Sequence, residues 1–169
     1  MNKFNELIGD SELLSMYERM DELEADRIYC RHGITHSLDV ARIGYIMMIE
    51  EEIRLCDEEK LAISDKELIY ITALLHDLGR IKQYEDGESH HKAGVEIAKH
   101  FLEKHGFEKR ETELILDAIA SHKHGEGELS YRLSEVLYRA DKLSRNCFSC
   151  EAADTCYWEN EKRNMKLMF

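Results

Sequence analysis

Not one of the 169 residues is proline. Proline stops a helix more firmly than any other residue, because its ring fixes φ, clashes with the preceding turn and removes an N–H. A chain without it, with nine glycines and Leu/Ile/Ala-rich segments studded with Glu and Lys, is free to run in helices. The expected class is all-α, a single domain over 1–169 with about six core helices. The periodicity places them at about 10–30, 34–56, 65–78, 89–105, 108–122 and 130–146. Ser64 or Asp65 caps the third, with Glu67 in its first turn, and Gly106 ends the fourth. The stretches GRIKQYEDGES and HKHGEGELS read as polar loops, and the tail 147–169 as short helical or irregular structure on the outside.

The functional signal lies in polar residues that fall on apolar stripes. His36 precedes Val40, Ile43 and Met47 at helical offsets, and His90 precedes Gly94, Ile97 and Phe101 in the same way. His122 follows Ile115 and Ile119, Asp141 follows Leu133 and Leu137, and His76 continues Ile69 and Ala73. Any one such histidine is more often a hydrogen-bonded core residue than a ligand. Five inward polar positions plus Asp77 weigh differently, since each costs several kcal/mol to bury without a partner. Two metal ions satisfy them all, at about three protein ligands per ion. Nitrogen and carboxylate donors suit iron, manganese, cobalt, nickel or zinc rather than calcium. Adjacent residues on a helix point about 100° apart, so His76 and Asp77 straddle two ions best at a helix end, with Asp77 bridging.

The order His36, His76-Asp77, Asp141, in the contexts THSLDVARI, ALLHDLGR and YRADKLSR, resembles the HD-domain superfamily of metal-dependent phosphohydrolases. The resemblance covers about 34–146, and implies an HD-type core over about 30–146 with the cysteine-bearing tail appended. His90 and His122 look like the extra ligands of the two-metal subgroup, which includes dinucleoside tetraphosphate hydrolases and cyclic-dinucleotide phosphodiesterases. The family pattern favours His90 over His91, because its ligand stands four residues before a small residue, here Gly94. The implied activity is hydrolysis of a small phosphorylated metabolite, a nucleotide, by metal-activated water. Arg80 stands where the family often has lysine, and a guanidinium there grips phosphate bidentately. Lys123, Lys142 and Arg145 are candidates for a positive rim, His124 for a group supporting the ligands or the substrate, and Tyr84 for stacking on a nucleoside. Mixed-valent diiron oxygenases use the same ligand order and form the alternative reading; a non-catalytic nucleotide sensor is the third.

Composition bounds the partners. A net charge of −12 argues against a broad nucleic-acid-binding surface, while leaving room for a compact anion in one positive pocket. No signal-peptide core and no membrane-length apolar run is visible, so a cytoplasmic protein is expected. The five cysteines read as reduced thiols. Cys147, Cys150 and Cys156 form a C-x2-C-x5-C spacing that lacks a fourth ligand unless Cys30 or Cys56 supplies it through a tertiary contact.

Overall fold

The computed structural model describes residues 1–55, 61–121 and 131–169, and the architecture among them is all-helical, as expected. The helices are α1 (Asn2–Ile8), α2 (Ser11–Leu23), α3 (Ile34–Glu50), α4 (Asp65–Leu75), α5 (Arg80–Asp86), α6 (His90–Lys104), α7 (Lys109–Ser121) and α8 (Tyr131–Leu143). Three single-turn helices follow at Cys147–Ser149, Ala153–Thr155 and Asn160–Lys162, matching the short, external tail structure expected.

The fold is organised around α4. Its sequence, DKELIYITALL, is apolar on every side beyond the first turn, and such a helix must be surrounded. It packs against α1, α3, α6, α7 and α8, and all its residues from Leu68 to Leu75 except Tyr70 are buried. Ser64 caps it, its hydroxyl accepting from Glu67 N at 3.2 Å. Glu67 is itself buried and accepts from Phe4 N at 3.0 Å, so the same residue fixes α1 to the central helix.

Three expected boundaries are corrected. The helix expected over 34–56 ends at Glu50, where the chain turns through Glu52 at a left-handed φ of 53. The helix expected over 10–30 begins at Asp10, whose carboxylate accepts from Glu12 N and Leu13 N, but ends at Leu23. The cause is Glu24: buried, it accepts from His32 N at 2.6 Å and pulls residues 24–33 into an irregular turn. The expected loop 79–89 instead contains α5, closed by Gly87 at φ 71. Gly79 does break the chain direction, though for a different reason from local flexibility. A Cβ there would lie 2.0 Å from His90 O and 2.4 Å from Gly94 N, so only glycine lets the turn after α4 touch the first turn of α6.

Candidate metal centre

Four side chains meet at the C-terminal end of α4. His36 comes from the first turn of α3, His76 and Asp77 from the turn after α4, and Asp141 from the last turn of α8. Each offers one ligand atom, and these atoms all lie within 4.8 Å of one another. His36 Nε2 is 3.4 Å from Asp141 Oδ1 and 3.6 Å from Asp77 Oδ2, and His76 Nε2 is 3.2 Å from Asp77 Oδ2. His76, Asp77 and Asp141 are buried, and His36 is 11% exposed at its side chain.

The hydrogen bonds behind the ligands set their tautomers. His76 Nδ1 lies 2.7 Å from Ala73 O. A carbonyl only accepts, so Nδ1 carries the proton and Nε2 presents a lone pair to the cluster. Ser144 Oγ donates to Asp141 O at 2.8 Å, which leaves it an acceptor towards His36 Nδ1 at 3.3 Å. His36 Nε2 then also faces the carboxylates, buried and without a hydrogen bond.

Charge points the same way. Burial alone would lower the His36 imidazole, but the carboxylates of Asp141 and Asp77 lift it to about 9. Burial would raise both carboxyls; instead His76 and Arg80 hold Asp77, and His36 and Arg145 hold Asp141, well below the usual range. Two ionised, buried carboxylates that hold a proton on His36 fit a divalent metal ion, which would take that proton's place among the two carboxylates and two imidazole nitrogens.

A sequence comparison decides the family. The HD domain profile matches residues 33–146, about two thirds of the chain and all four converging ligands. The chain belongs to the HD domain family. An uncharacterized protein of Clostridium beijerinckii is 37% identical over the full length of both chains. Ribonuclease Y of Lactobacillus gasseri is 28% identical over 116 residues, and that of Bacillus cereus 31%; the match covers 69% of this chain but 18% of either ribonuclease. The crystal structure of a predicted HD superfamily hydrolase from an uncultured Thermotogales bacterium aligns with a TM-score of 0.60. It covers 91% of this chain and 80% of that one at 22% identity, a likeness of fold.

The remaining expected site residues surround the HD cluster unevenly. His90 opens α6 beside the Gly79 turn, its ring centroid 3.8 Å from that of His91, and it stands outside the converging four. His122, Lys123 and His124 lie outside the described residues. Arg80 Nε donates to Asp77 Oδ1 at 2.8 Å, leaving Oδ2 towards the histidines. Arg145 Nη2 donates to Asp141 Oδ1 at 3.2 Å, and Lys142 Nζ donates to Asp141 Oδ2 at 3.0 Å. Tyr84 donates its hydroxyl to Glu24 Oε1 at 2.5 Å, so its polar end is tied to the 24–33 turn.

Sequence reasoning missed three residues that brace the HD site. Ser144 orients His36 and has no pattern to betray it. Glu24 and His32 form a buried pair at 2.5 Å, and the His32 ring meets that of His36 edge-on with centroids 5.7 Å apart. His32 stands one helical repeat before His36, a spacing that could have drawn attention to it. Among the described residues no helix is long and apolar enough to cross a membrane.

Proposed function

We propose that the protein hydrolyses a phosphate ester or anhydride of a small metabolite, a nucleotide being the class that fits best. The observation that carries this reading is the convergence of His36, His76, Asp77 and Asp141 with three cations, Arg80, Lys142 and Arg145, directly on their carboxylates. A bound divalent ion would be held by those four side chains, and supplies water made acidic enough to attack phosphorus near neutral pH together with charge for the phosphate oxygens. The chain's own work is orientation. Ala73 and Ser144 fix the imidazoles, and Arg80 fixes Asp77 and would bring its guanidinium charge to a phosphate oxygen. In the two-ion version of this proposal, His90 and His122, with Asp77, would hold the second ion.

The net charge of −12 favours a compact anion over long nucleic acid, whose successive phosphates would meet an acidic surface. The likeness to ribonuclease Y favours a second reading, a phosphodiester in a short oligoribonucleotide. The test is hydrolysis of mono-, di- and cyclic nucleotides, dinucleoside polyphosphates and short RNA, with iron, manganese, cobalt or nickel supplied, alongside metal analysis. We expect turnover of at least one nucleotide, one to two ions per chain, and loss of both in Asp77→Ala by at least a hundredfold on the order expected when a ligand itself is removed. Silence on every phosphate substrate, with oxygen consumed instead, would transfer the site to oxygenase chemistry.

A further inference from the structure

We propose a second metal centre, an iron–sulfur cluster ligated by Cys30, Cys147, Cys150 and Cys156, which clasps the tail to the rest of the molecule. The starting point is a cavity of about 420 Å³ beside His36 whose wall contains all four of these thiols. Cys30 arrives from the turn after α2, and the other three from the first two single-turn helices of the tail and the residues that cap them. The C-x2-C-x5-C spacing lacked a fourth ligand in the sequence, and the fold supplies it from more than a hundred residues away.

The thiols are free, and each is half-buried. Burial pushes the Cys30 thiol up, and Cys147 and Cys150 add to that, which places the three within electrostatic reach of one another; Arg145 opposes it. Ligation to a metal removes the protons and with them this cost. The charges around the cavity match a ligated cluster, which is anionic: Arg31, Arg145 and Arg163 line it against Asp21 and Asp39.

The tail has little else to hold it. No residue from 147 to 169 is buried, and a segment with no core of its own is the kind that a metal or cross-link usually orders. Its ties are the partly buried Phe169 against the core, the Tyr157 ring against that of Tyr29, and a few polar contacts: Asn164 donates to Lys142 O and Arg145 O, Tyr29 to Thr155 O, and Trp158 lies over Arg145.

The room between the thiols favours one kind of centre. A single zinc ion at Zn–S distances of 2.3 Å would draw four sulfurs to within ~3.8 Å of each other. The four thiols instead stand on the walls of a cavity of about 420 Å³. A cluster places its own iron and sulfide between the thiolates and so occupies a space of that kind.

The experiment measures iron, zinc and acid-labile sulfide per chain in full-length protein isolated without oxygen, before and after anaerobic reconstitution with ferrous iron and sulfide. Sulfide separates this centre from the His/Asp site, which can hold iron but no sulfide. We expect about four sulfides per chain for a [4Fe–4S] centre, with visible absorption that dithionite bleaches. His76→Ala, which damages the other site, should keep the sulfide, and Cys150→Ser and Cys30→Ser should each lose most of it. Wild-type protein without sulfide after reconstitution overturns the proposal, whether its thiols titrate as free or hold one zinc ion. Sulfide at the wild-type level in both cysteine variants overturns the ligand assignment. The wild-type measurement decides even if those variants fail to fold.

Discussion

At the residue scale the cluster depends on groups that never touch an ion. Ser144 takes the Nδ1–H of His36 because its own proton is committed to Asp141 O. Ser144→Ala should therefore leave the fold intact yet weaken metal affinity about tenfold or more, as losses behind a ligand usually do. Competition with a chelating dye reads this directly, and unchanged affinity would remove Ser144 from the account. The Glu24–His32 pair sets an acid limit. Burial opposes ionisation of Glu24, but His32 and Tyr84 hold its carboxyl down at about 2, and burial lowers His32. In both cases the unfolded chain binds protons more readily than the folded one, so acid favours unfolding. Stability should start to fall below His32's ordinary value of 6.5, and fall further between Glu24's ordinary 4.5 and about 2. Urea midpoints across that range would show a shallower loss in Glu24→Gln, at the expense of lower stability at pH 7. His36, His76 and Asp141 were legible because each interrupts an apolar stripe, and Asp77 because it adjoins His76; Ser144 and Glu24 were not, because nothing local distinguishes them from any polar residue near a helix end.

At the element scale, the decisive contact is between the turn after α4 and the start of α6. With His90 O only 2.0 Å from where a Gly79 Cβ would sit, Gly79→Ala must push the two backbones apart. The cost should be at least the roughly 1–3 kcal/mol of an overpacked core, since backbone atoms cannot rotate away as a side chain can. Thermal melts and metal content should fall together, because the shift moves Asp77 and His90 relative to each other. A variant with wild-type melting would show that the turn has slack. The sequence revealed a breaker at Gly79 without revealing what it approaches. It also hid α5: RIKQYED is too short and too polar to show an apolar stripe, and it is helical because Ile81 is buried and Gly87 supplies the left-handed stop. Conversely, α2 was read too long, since a buried carboxylate at Glu24 outcompetes helix propensity that continues through Ala25 and Asp26.

Across the whole molecule, the order of the six longer helices could be read from periodicity, the seven-residue α1 and α5 could not, and neither could the meeting of Cys30 with the tail, a contact between distant segments. The arrangement around α4 has a further consequence, which concerns time. A helix enclosed by five others can release its amide protons to solvent only when the molecule opens as a whole, while α5 and the tail, with few buried side chains, can open locally. Amides of 68–75 should be the slowest to take up deuterium, with 80–86 and 147–169 exchanging orders of magnitude sooner, as mass spectrometry of peptic fragments would record. Exchange of the central helix as early as α5 would contradict this. His76 and Asp77 hang from the end of that slowest element, so the lifetime of their geometry is the lifetime of the folded state.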